Sequence, residues 1–442
     1  MKKTFLNRFV FPVFFLAVFQ QSLVASSNYW LVRTTTALQE NQSFLFWLGI
    51  YVASLLLPYL PGAAALVLLQ KWSATTQKEI TDWAVSGLFG KINLWTSPSH
   101  RAQKSPLVVK EAPHWVENTC HWSYALVDSF LNFSLNILAL AFLIDTDFLI
   151  AFIVGVALSA GLIWTQRKYM AKLSSELEAS RADMTHKTQN FWDNILIGNR
   201  MNQQAWTKRF DASFAHFGKK LFRMESFSQI VSVALALFSN APIFIYLFYL
   251  IGRPDTSNVE ALALIVLLPR IFQIVNSSHF FLWQVTQSSA LLARGRYIKE
   301  QLGDGEAASS RERVRFSQIF VNGKESRGEL LLTRAFTQGR FTVTGPNGAG
   351  KSSLLMALKE KFHEKAFYLP AQSELVFDGN DVKGSTGEKM VLSLKKIFDS
   401  PDRPSILLLD EWDGNLDEGN TRRLDTLLEA LAQTLTVVEV RH

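Results

Sequence analysis

The chain has 442 residues, a formal net charge of +7 and 48% hydrophobic residues, with phenylalanine alone numbering 34. This length is too great for one ordinary domain, and the apolar residues are bunched into long runs in the first two thirds, which is typical of a membrane protein. The basic residues flank these runs instead of forming a stripe with exposed aromatic residues, so the positive charge indicates membrane topology and not nucleic-acid binding. Cys120 is the single cysteine, which excludes an intrachain disulfide and leaves packing as its expected role.

Six apolar runs are long enough to cross a bilayer as helices, which takes about 20 residues. They are residues 9–31, 44–70, 124–144, 148–164, 228–251 and 261–283. Four prolines lie inside these runs, namely Pro58, Pro61, Pro242 and Pro269. Neighbouring helices can satisfy the backbone groups that a proline frees, so we expect kinks there. Residues 1–300 are therefore predicted to form an all-α polytopic membrane domain.

Two long polar stretches separate the runs, residues 71–123 and 165–227, and the second carries eleven Lys and Arg against six Asp and Glu. The positive-inside rule makes both stretches cytoplasmic, and it places both termini in the cytoplasm of a multi-pass protein of the inner (cell) membrane. Residues 165–227 are predicted to form a long helix pair that reaches a cytoplasmic domain, and a solvated helical hairpin is the alternative.

The N-terminus also resembles a cleavable signal peptide, because Lys2 and Lys3 precede an apolar core and Ala25 precedes Ser26. Cleavage would leave five spans and would still keep the long basic stretches inside. The apolar run continues past Ala25 through residues 29–31 and completes a set of six, which favours an uncleaved first span.

Polar residues interrupt the apolar runs at Asp128, Asn132, Asn136, Arg270, Gln273 and Asn276. Residues 128, 132 and 136 share one helix face, and residues 269, 273 and 276 share another. Such groups are costly in hydrocarbon and face a bundle interior or an aqueous cavity. A polar substrate cavity is one interpretation, and hydrogen bonding between helices with a snorkelling Arg270 is the other.

After a linker at residues 301–313, rich in small and charged residues, the chain changes to alternating strand-like and helical runs. This pattern predicts an α/β domain over residues 314–442. A strand ending at Thr344 runs into a glycine-rich loop and then into a helix, which is the context that a phosphate-binding loop requires. The loop comprises Gly345, Pro346, Asn347, Gly348, Ala349, Gly350, Lys351, Ser352 and Ser353. Lys351 is predicted to reach the β- and γ-phosphates of a nucleotide, and Ser352 to bind Mg²⁺.

A second motif is acidic: the buried-strand run at residues 405–409 is followed by Asp410 and Glu411. A strand that ends in two acids can place the first in the coordination shell of a metal ion and the second near an attacking water. We therefore predict Asp410 as a magnesium-side residue and Glu411 as the general base.

Five segments occur in the order of the ABC-type ATPase motifs, which are Walker A, the signature loop, Walker B, the D-loop and the switch histidine. They are the phosphate loop, the segment Ser385, Thr386, Gly387 and Glu388, residues 409–412, residues 415–417, and His442. The chain thus resembles an exporter-type ABC half-transporter over nearly its whole length. The Ser-Thr-Gly form of the signature, together with Asp-Glu-Trp, is similar to exporters of cyclic peptides, peptide siderophores and lasso-type microcins.

The resemblance implies a head-to-tail pair of nucleotide domains with ATP between them. Ser385 and Gly387 would bind the γ-phosphate of the opposite site, Asp417 would bridge the two sites, and His442 would sense the γ-phosphate. Gln372 lies where the Q-loop glutamine is expected, and Phe316 or Phe320 would stack on adenine.

Several positions depart from the family pattern. Only twelve residues separate Gln372 from Ser385, where the family inserts a helical subdomain of several tens of residues. Gly384 replaces a usual Leu, Glu388 replaces a usual Gln, and no helices follow His442 in this sequence. The prediction is thus a P-loop ATPase domain with a reduced helical subdomain.

The leading functional prediction is a homodimeric, Mg²⁺- and ATP-dependent exporter of a peptide-like or amphipathic molecule, with a heterodimer left open. The intact Lys351, Asp410, Glu411 and His442 favour it. The shortened subdomain favours the alternative, a degenerate ATP-binding half that is inactive alone and serves as the partner or regulatory subunit of another half.

Overall fold

The structure is a computed structural model that describes residues 5–40, 42–95, 104–143, 146–188, 191–253, 258–303, 309–325, 332, 338–371, 375, 394, 397, 403–414 and 416–441. The chain divides into two compact units. The helical unit consists of Met1–Gly87 and Ala102–Gly303, and the α/β unit consists of Leu88–Arg101 and Asp304–His442. In this division the α/β unit includes a segment from the first long polar stretch, Leu88–Arg101.

Long helices make up the helical unit. They are α1 (Val10–Gln39), α2 (Phe44–Leu56), α3 (Tyr59–Leu88), α5 (Ala112–Leu143), α6 (Asp147–Thr188), α7 (Phe191–Leu196), α8 (Arg200–Ile251) and α9 (Asn258–Gly303). A π-helical turn at Leu107–Glu111 leads into α5. The short helix α4 (Ile92–Trp95) belongs to the α/β unit.

Four helical stretches within the described residues are long and apolar enough to cross a membrane: Val10–Leu38, Phe44–Leu88, Leu149–Thr185 and Arg200–Ile251. They overlap the predicted first, second, fourth and fifth spans and extend beyond them into neighbouring polar sequence. The predicted spans 124–144 and 261–283 lie on α5 and α9, and their crossing of a membrane stays a prediction. The predicted helix pair at 165–227 is formed by the C-terminal part of α6 and the N-terminal part of α8, and these two helices pack along each other.

The prolines affect the helices differently. The second apolar run is interrupted next to Pro58, where α2 ends at Leu56 and α3 begins at Tyr59. Pro242 and Pro269 lie inside the uninterrupted helices α8 and α9. A proline within a helix removes one backbone hydrogen bond, and the surrounding helices make this tolerable.

The polar residues of α5 face α1. Gln21 Nε2 donates to Asp128 Oδ1 (2.7 Å), and Asn132 Nδ2 donates to Gln21 Oε1 (2.7 Å). About two helical turns further along α1, Asn28 Nδ2 donates to Asn136 Oδ1 (2.7 Å). These contacts support the interpretation of hydrogen bonding between helices, since amide and carboxyl groups in an apolar bundle satisfy one another. Arg270 lies on α9, and its side chain is not among those that the structure describes.

The six described strands of the α/β unit form one mixed sheet. They are β1 (Phe320–Val321), β2 (Lys324–Glu325), β3 (Gly339–Thr344), β4 (Ala366–Leu369), β5 (Ile406–Asp410) and β6 (Thr436–Val440). The order across the sheet is β2-β1-β3-β6-β5-β4. Strands β3, β6, β5 and β4 are parallel, and β1 is antiparallel to both of its neighbours.

Helices cover both faces of this sheet, as continuous apolar strands require. On one face, α10 (Lys351–Phe362) packs Leu354, Leu355 and Leu358 against Leu408 and Val438. On the other face, α11 (Glu418–Ala432) packs its own leucines against the alternate residues of the same strands. Parallel strands that are buried on both faces bring the ends of β3 and β5 to one edge, where their loops meet.

The end of the predicted linker is part of the α/β unit. Residues Ser310–Arg313 form a 3₁₀ turn, Ser310 is buried, and the hydroxyls of Ser309 and Ser310 donate to Glu360 on α10 (3.4 and 3.2 Å). The small and charged composition predicted a linker here, and the two serines at its end attach the chain to α10 through their hydroxyls.

Candidate functional site

The glycine loop, residues 345–350, connects β3 to the N-terminus of α10. Gly350 is the N-cap residue of α10 and has a φ of 89°, in the left-handed region. A Cβ atom at this position would lie 2.5 Å from the carbonyl oxygen of Arg313, so both the backbone conformation and the close approach require glycine. The loop thereby turns sharply and exposes the positive end of α10, which favours anions.

Lys351 is the first residue of α10, and its side chain folds back over the glycine loop. Its Nζ donates to the carbonyl oxygen of Gly345 (2.9 Å). An ammonium group carries three donors, so this contact fixes the position of the charge and leaves donors for an anion held by the loop.

Ser352 and Asp410 meet at the ends of α10 and β5. Ser352 Oγ donates to Asp410 Oδ1 (3.0 Å), and Tyr368 OH donates to Asp410 Oδ2 (3.0 Å). Asp410 is buried, and burial, aided by the neighbouring charge of Glu411, raises its pKa despite these two hydrogen bonds. Burial and the carboxylate of Asp410 also raise the pKa of Tyr368, so this hydroxyl remains a donor.

Glu411 follows β5 with a φ of 43°, an uncommon backbone conformation for a residue with a side chain. Two backbone hydrogen bonds hold it there: Glu411 N–H donates to Val440 O (2.9 Å), and Gly414 N–H donates to Glu411 O (3.3 Å). Glu411 also lines the cavity at the glycine loop. Strained residues of this kind are concentrated at functional sites, where the surrounding structure compensates for the strain.

Trp412 anchors the segment beyond Glu411. Its ring is buried, and Nε1 donates to Glu439 Oε2 (3.0 Å). The guanidinium of Arg441 lies over the Trp412 ring at 5.5 Å from the centroid, and Arg441 Nε donates to Glu439 Oε1 (3.1 Å). The loop that carries Glu411 is therefore tied to strand β6.

The cavity beside the glycine loop has a volume of about 670 Å³. It is lined by Arg313, Asn347, Gly348, Gly350, Lys351, Ser352, Ser353, Glu411 and Arg441. Three cationic side chains, a helix N-terminus and a carboxylate thus surround one space. This combination suits an anion such as a polyphosphate, with the carboxylate able to act on a water beside it.

The side-chain oxygens of Ser352 and Asp410 are suitable ligands for a magnesium ion. Mg²⁺ prefers oxygen ligands and takes one or two from the protein, with phosphate oxygens and water completing the shell. A hydroxyl and a carboxylate in contact at 3.0 Å supply these two oxygens. Within the described part of the chain, no group of three or more His, Cys, Asp or Glu side chains could hold a metal by itself.

The other predicted site residues either lie away from the cavity lining or lie outside the described residues. Asp417 caps the N-terminus of α11, where Oδ1 accepts from Asn420 N–H (2.7 Å) and Oδ2 from Asn420 Nδ2 (2.8 Å). Phe316 packs against the core of the α/β unit, and neither Phe316 nor Phe320 lines the cavity. The remaining predicted residues lie outside the described residues: Gln372, Ser385, Thr386, Gly387, Glu388 and His442.

Five residues of this region were not predicted as site residues: Arg313, Tyr368, Trp412, Glu439 and Arg441. Arg313 and Arg441 line the cavity, and the side chains of Tyr368, Trp412 and Glu439 contact residues distant in sequence. The pair Glu439 and Arg441 does carry a signal, because charges at alternate positions of an otherwise apolar strand indicate a buried ion pair.

Comparison with known proteins gives a match by fold and none by sequence. Neither the protein-family models nor the curated proteins match the chain. Its structure matches 257 chains of solved structures. One is a bacterial Atm1-family ABC exporter with ATP bound, with a TM-score of 0.66 and 11% sequence identity, and the alignment covers 99% of this chain and 91% of that chain. The chain thus has the fold of an ABC exporter.

Proposed function

We propose that this protein is half of an ATP-driven exporter, with the cavity at the glycine loop as its ATP site. The observation that carries the proposal is the convergence of Lys351, Ser352, Asp410 and Glu411 on the N-terminus of α10. A likeness in fold to an exporter solved with ATP bound supports it.

The residues of the site have distinct roles in this proposal. The glycine loop and Lys351 hold the phosphates, and Ser352 and Asp410 would hold Mg²⁺, which would supply positive charge beside the phosphates. Glu411 orients the attacking water and accepts its proton. The fixed backbone around Glu411 keeps this carboxylate at the cavity without reorganisation.

The second half of the ATP site comes from another chain in this proposal. Two copies pair head to tail, and Ser385, Thr386, Gly387 and Glu388 of one copy contact the ATP held by the other. Asp417 then bridges the two sites, His442 senses the γ-phosphate, and Gln372 occupies the Q-loop position. ATP binding closes the pair, the cytoplasmic extensions of α6 and α8 transmit the closure, and hydrolysis resets it.

We propose a peptide-like or amphipathic molecule as the cargo. The support is the similarity of the Ser-Thr-Gly signature and the Asp-Glu-Trp segment to exporters of cyclic peptides, siderophores and microcins. The basic polar stretches between the apolar runs support an inner-membrane location with the ATP site in the cytoplasm.

A second candidate function is a degenerate half that binds ATP and works only with a complete partner. The observation that favours it is the span of twelve residues between Gln372 and Ser385, which leaves little room for a helical subdomain. Such a half would bind nucleotide through Lys351 and show no turnover alone.

ATP hydrolysis by the purified full-length protein in lipid tests the proposal. The wild type is compared with Glu411→Gln and Lys351→Ala. Matched controls are Asp413→Asn, the next carboxylate along the same loop, and Lys361→Ala on the last turn of α10. Turnover that is lost in Glu411→Gln and Lys351→Ala and kept in the controls supports the exporter.

Other outcomes contradict parts of the proposal. Hydrolysis preserved in Glu411→Gln would show that Glu411 is not the base. Nucleotide binding by the wild type without any turnover would favour the degenerate half, and pulldown with a second half-transporter would then be the next test. No nucleotide binding by the wild type would contradict both candidate functions.

A further inference from the structure

Helix α4 is a short helix of the first long polar stretch that packs within the α/β unit. It contacts α10, the helix that begins at Lys351, and its Leu94 is buried. Along the chain this segment directly follows α3, which belongs to the helical unit. The chain therefore passes directly from α3 into a segment of the α/β unit.

An aromatic contact joins α4 to strand β4. The rings of Trp95 and Tyr368 meet edge to face, with centroids 6.0 Å apart and planes at 87°. This is the geometry that aromatic pairs prefer, because the positive edge of one ring meets the negative face of the other. Tyr368 is partly buried against the core of the α/β unit, so few positions are open to its ring.

A hydrogen bond continues the path from Tyr368 to the metal side of the site. Tyr368 OH donates to Asp410 Oδ2 (3.0 Å), while Asp410 Oδ1 accepts from Ser352 (3.0 Å). Each oxygen of this carboxylate thus has a protein donor, and its orientation depends on Tyr368. Hydrogen bonds to a ligating carboxylate commonly fix its geometry and tune its affinity for the metal.

We propose that Tyr368 and Trp95 are positioning residues for the Mg²⁺ side of the ATP site, through a relay of three residues: Trp95, Tyr368 and Asp410. The relay rests on the proposed function. It connects the segment after α3 directly to the carboxylate that would hold Mg²⁺, by a route that needs no helical subdomain. A shift of α4 moves Tyr368 and reorients Asp410, and Mg²⁺ binding at Asp410 acts back on α4, since coupling between two sites is reciprocal.

Binding of ATP as a function of Mg²⁺ concentration tests the relay without turnover. The full-length protein in lipid nanodiscs carries Glu411→Gln as the parent background, and radiolabelled ATP is the probe. Tyr368→Phe removes only the hydroxyl and is expected to raise the half-saturating Mg²⁺ concentration about tenfold. Trp95→Ala is expected to raise it about threefold, whereas Trp95→Phe, which keeps an aromatic ring, stays within about twofold of the parent.

Two further measurements separate positioning from general damage. ATP binding in excess Mg²⁺ is expected to reach the same level in all variants, because the glycine loop is intact. Leu94→Ala, which loosens the same helix but keeps the Trp95 ring, is expected to shift the Mg²⁺ titration less than Trp95→Ala does. Hydrogen exchange of residues 88–95 is expected to slow when Mg²⁺ is added to the ATP-bound parent, and to show no such change in Tyr368→Phe.

The outcomes are distinguishable. A Tyr368→Phe titration that coincides with that of an ATP-binding parent would overturn the relay and leave the proposed function intact. A shift in Leu94→Ala as large as that in Trp95→Ala would overturn the role given to the Trp95 ring. No ATP binding by the parent at any Mg²⁺ concentration would overturn the proposed function, and the relay with it.

Discussion

Arg340 on β3 holds the carboxylate of Glu439 on the neighbouring strand β6 with two parallel hydrogen bonds, from Nε to Oε1 (3.0 Å) and from Nη2 to Oε2 (2.9 Å). Glu439 is fully buried, with 0% of its surface exposed. Thr342 and Trp412 also donate to it. Arg340 and Thr342 lie on β3, which leads into the glycine loop, and Trp412 directly follows Glu411. The Glu439 carboxylate therefore links the strand before the glycine loop to the segment that carries Glu411.

Removing the Glu439 carboxylate should destabilise the α/β unit strongly. In Glu439→Ala, Arg340, whose side chain is only 17% exposed, loses its main partner, and breaking a buried ion pair costs about 3 kcal/mol or more of the free energy of unfolding. The measurement is thermal unfolding of the full-length protein in detergent. The matched control is Glu429→Ala, because Glu429 also faces Arg340 (3.9 Å) but is 73% exposed. We expect about 0.5 kcal/mol or less there, and equal losses in the two variants would contradict the assignment.

The stability of the α/β unit should fall in acid, because carboxyl groups that contact Arg340 and Arg441 become protonated. Burial alone would raise the pKa of Glu439, but hydrogen bonds from Arg340 and the charges of Arg340 and Arg441 hold it below the ordinary value of 4.5. The pKa of Asp425 is likewise lowered by these two arginines. When the pKa of a carboxyl group is lower in the folded state than in the unfolded state, its ionised form stabilises the fold. This contribution is complete at pH values above the unfolded-state pKa, and it is lost as the pH falls through the folded-state pKa.

The thermal midpoint should therefore drop as the pH is lowered below about 4.5, and less steeply in Glu439→Gln than in the wild type. The glutamine variant keeps the shape of the side chain but has no proton to gain. A pH profile of Glu439→Gln that is parallel to the wild-type profile would show that this carboxyl group does not contribute.

Gly350→Ala should abolish ATP binding, whereas Gly323→Ala should not. Both glycines have positive φ angles, 89° and 71°, and alanine costs about 1–2 kcal/mol in that conformation. Only at Gly350 would the new Cβ also lie 2.5 Å from a carbonyl oxygen, whereas at Gly323 nothing lies within 4 Å. ATP binding and thermal unfolding of the two variants measure the difference. Normal ATP binding by Gly350→Ala would show that the glycine loop does not hold the phosphates in the geometry described.

Asn28 and Asn136 should be energetically coupled within the helical unit. Both side chains are buried, and Asn28 Nδ2 donates to Asn136 Oδ1 (2.7 Å). Hydrogen bonds between membrane helices contribute about 0.6 kcal/mol on average. A double-mutant cycle of Asn28→Ala and Asn136→Ala, read by unfolding in detergent micelles, should give a coupling of this size. If the losses of unfolding free energy in the two single variants add up to the loss in the double variant, and if the variants change how cargo stimulates the ATPase, a polar substrate cavity would be favoured instead.

Much of the candidate site could be predicted because its residues are contiguous. The glycine loop, Lys351 and Ser352 form one uninterrupted segment, and Asp410 and Glu411 end a run of buried-strand residues. Local sequence dictates such features, since a strand, a tight turn and a helix N-terminus follow one another within a few residues. The same locality made the apolar runs and the helix pair at 165–227 predictable.

The sequence by itself determined the apolar helices, the α/β character of the second unit and the residues of the glycine loop, because period, hydrophobicity and turn chemistry act over neighbouring positions. Only the tertiary structure decided that Tyr368 and Ser352 share Asp410, that Glu439 faces Arg340 and Trp412, and that α4 packs in the α/β unit. These contacts join positions tens of residues apart. They arise from the order of the strands across the sheet and from side chains on its two faces, which a linear pattern does not contain.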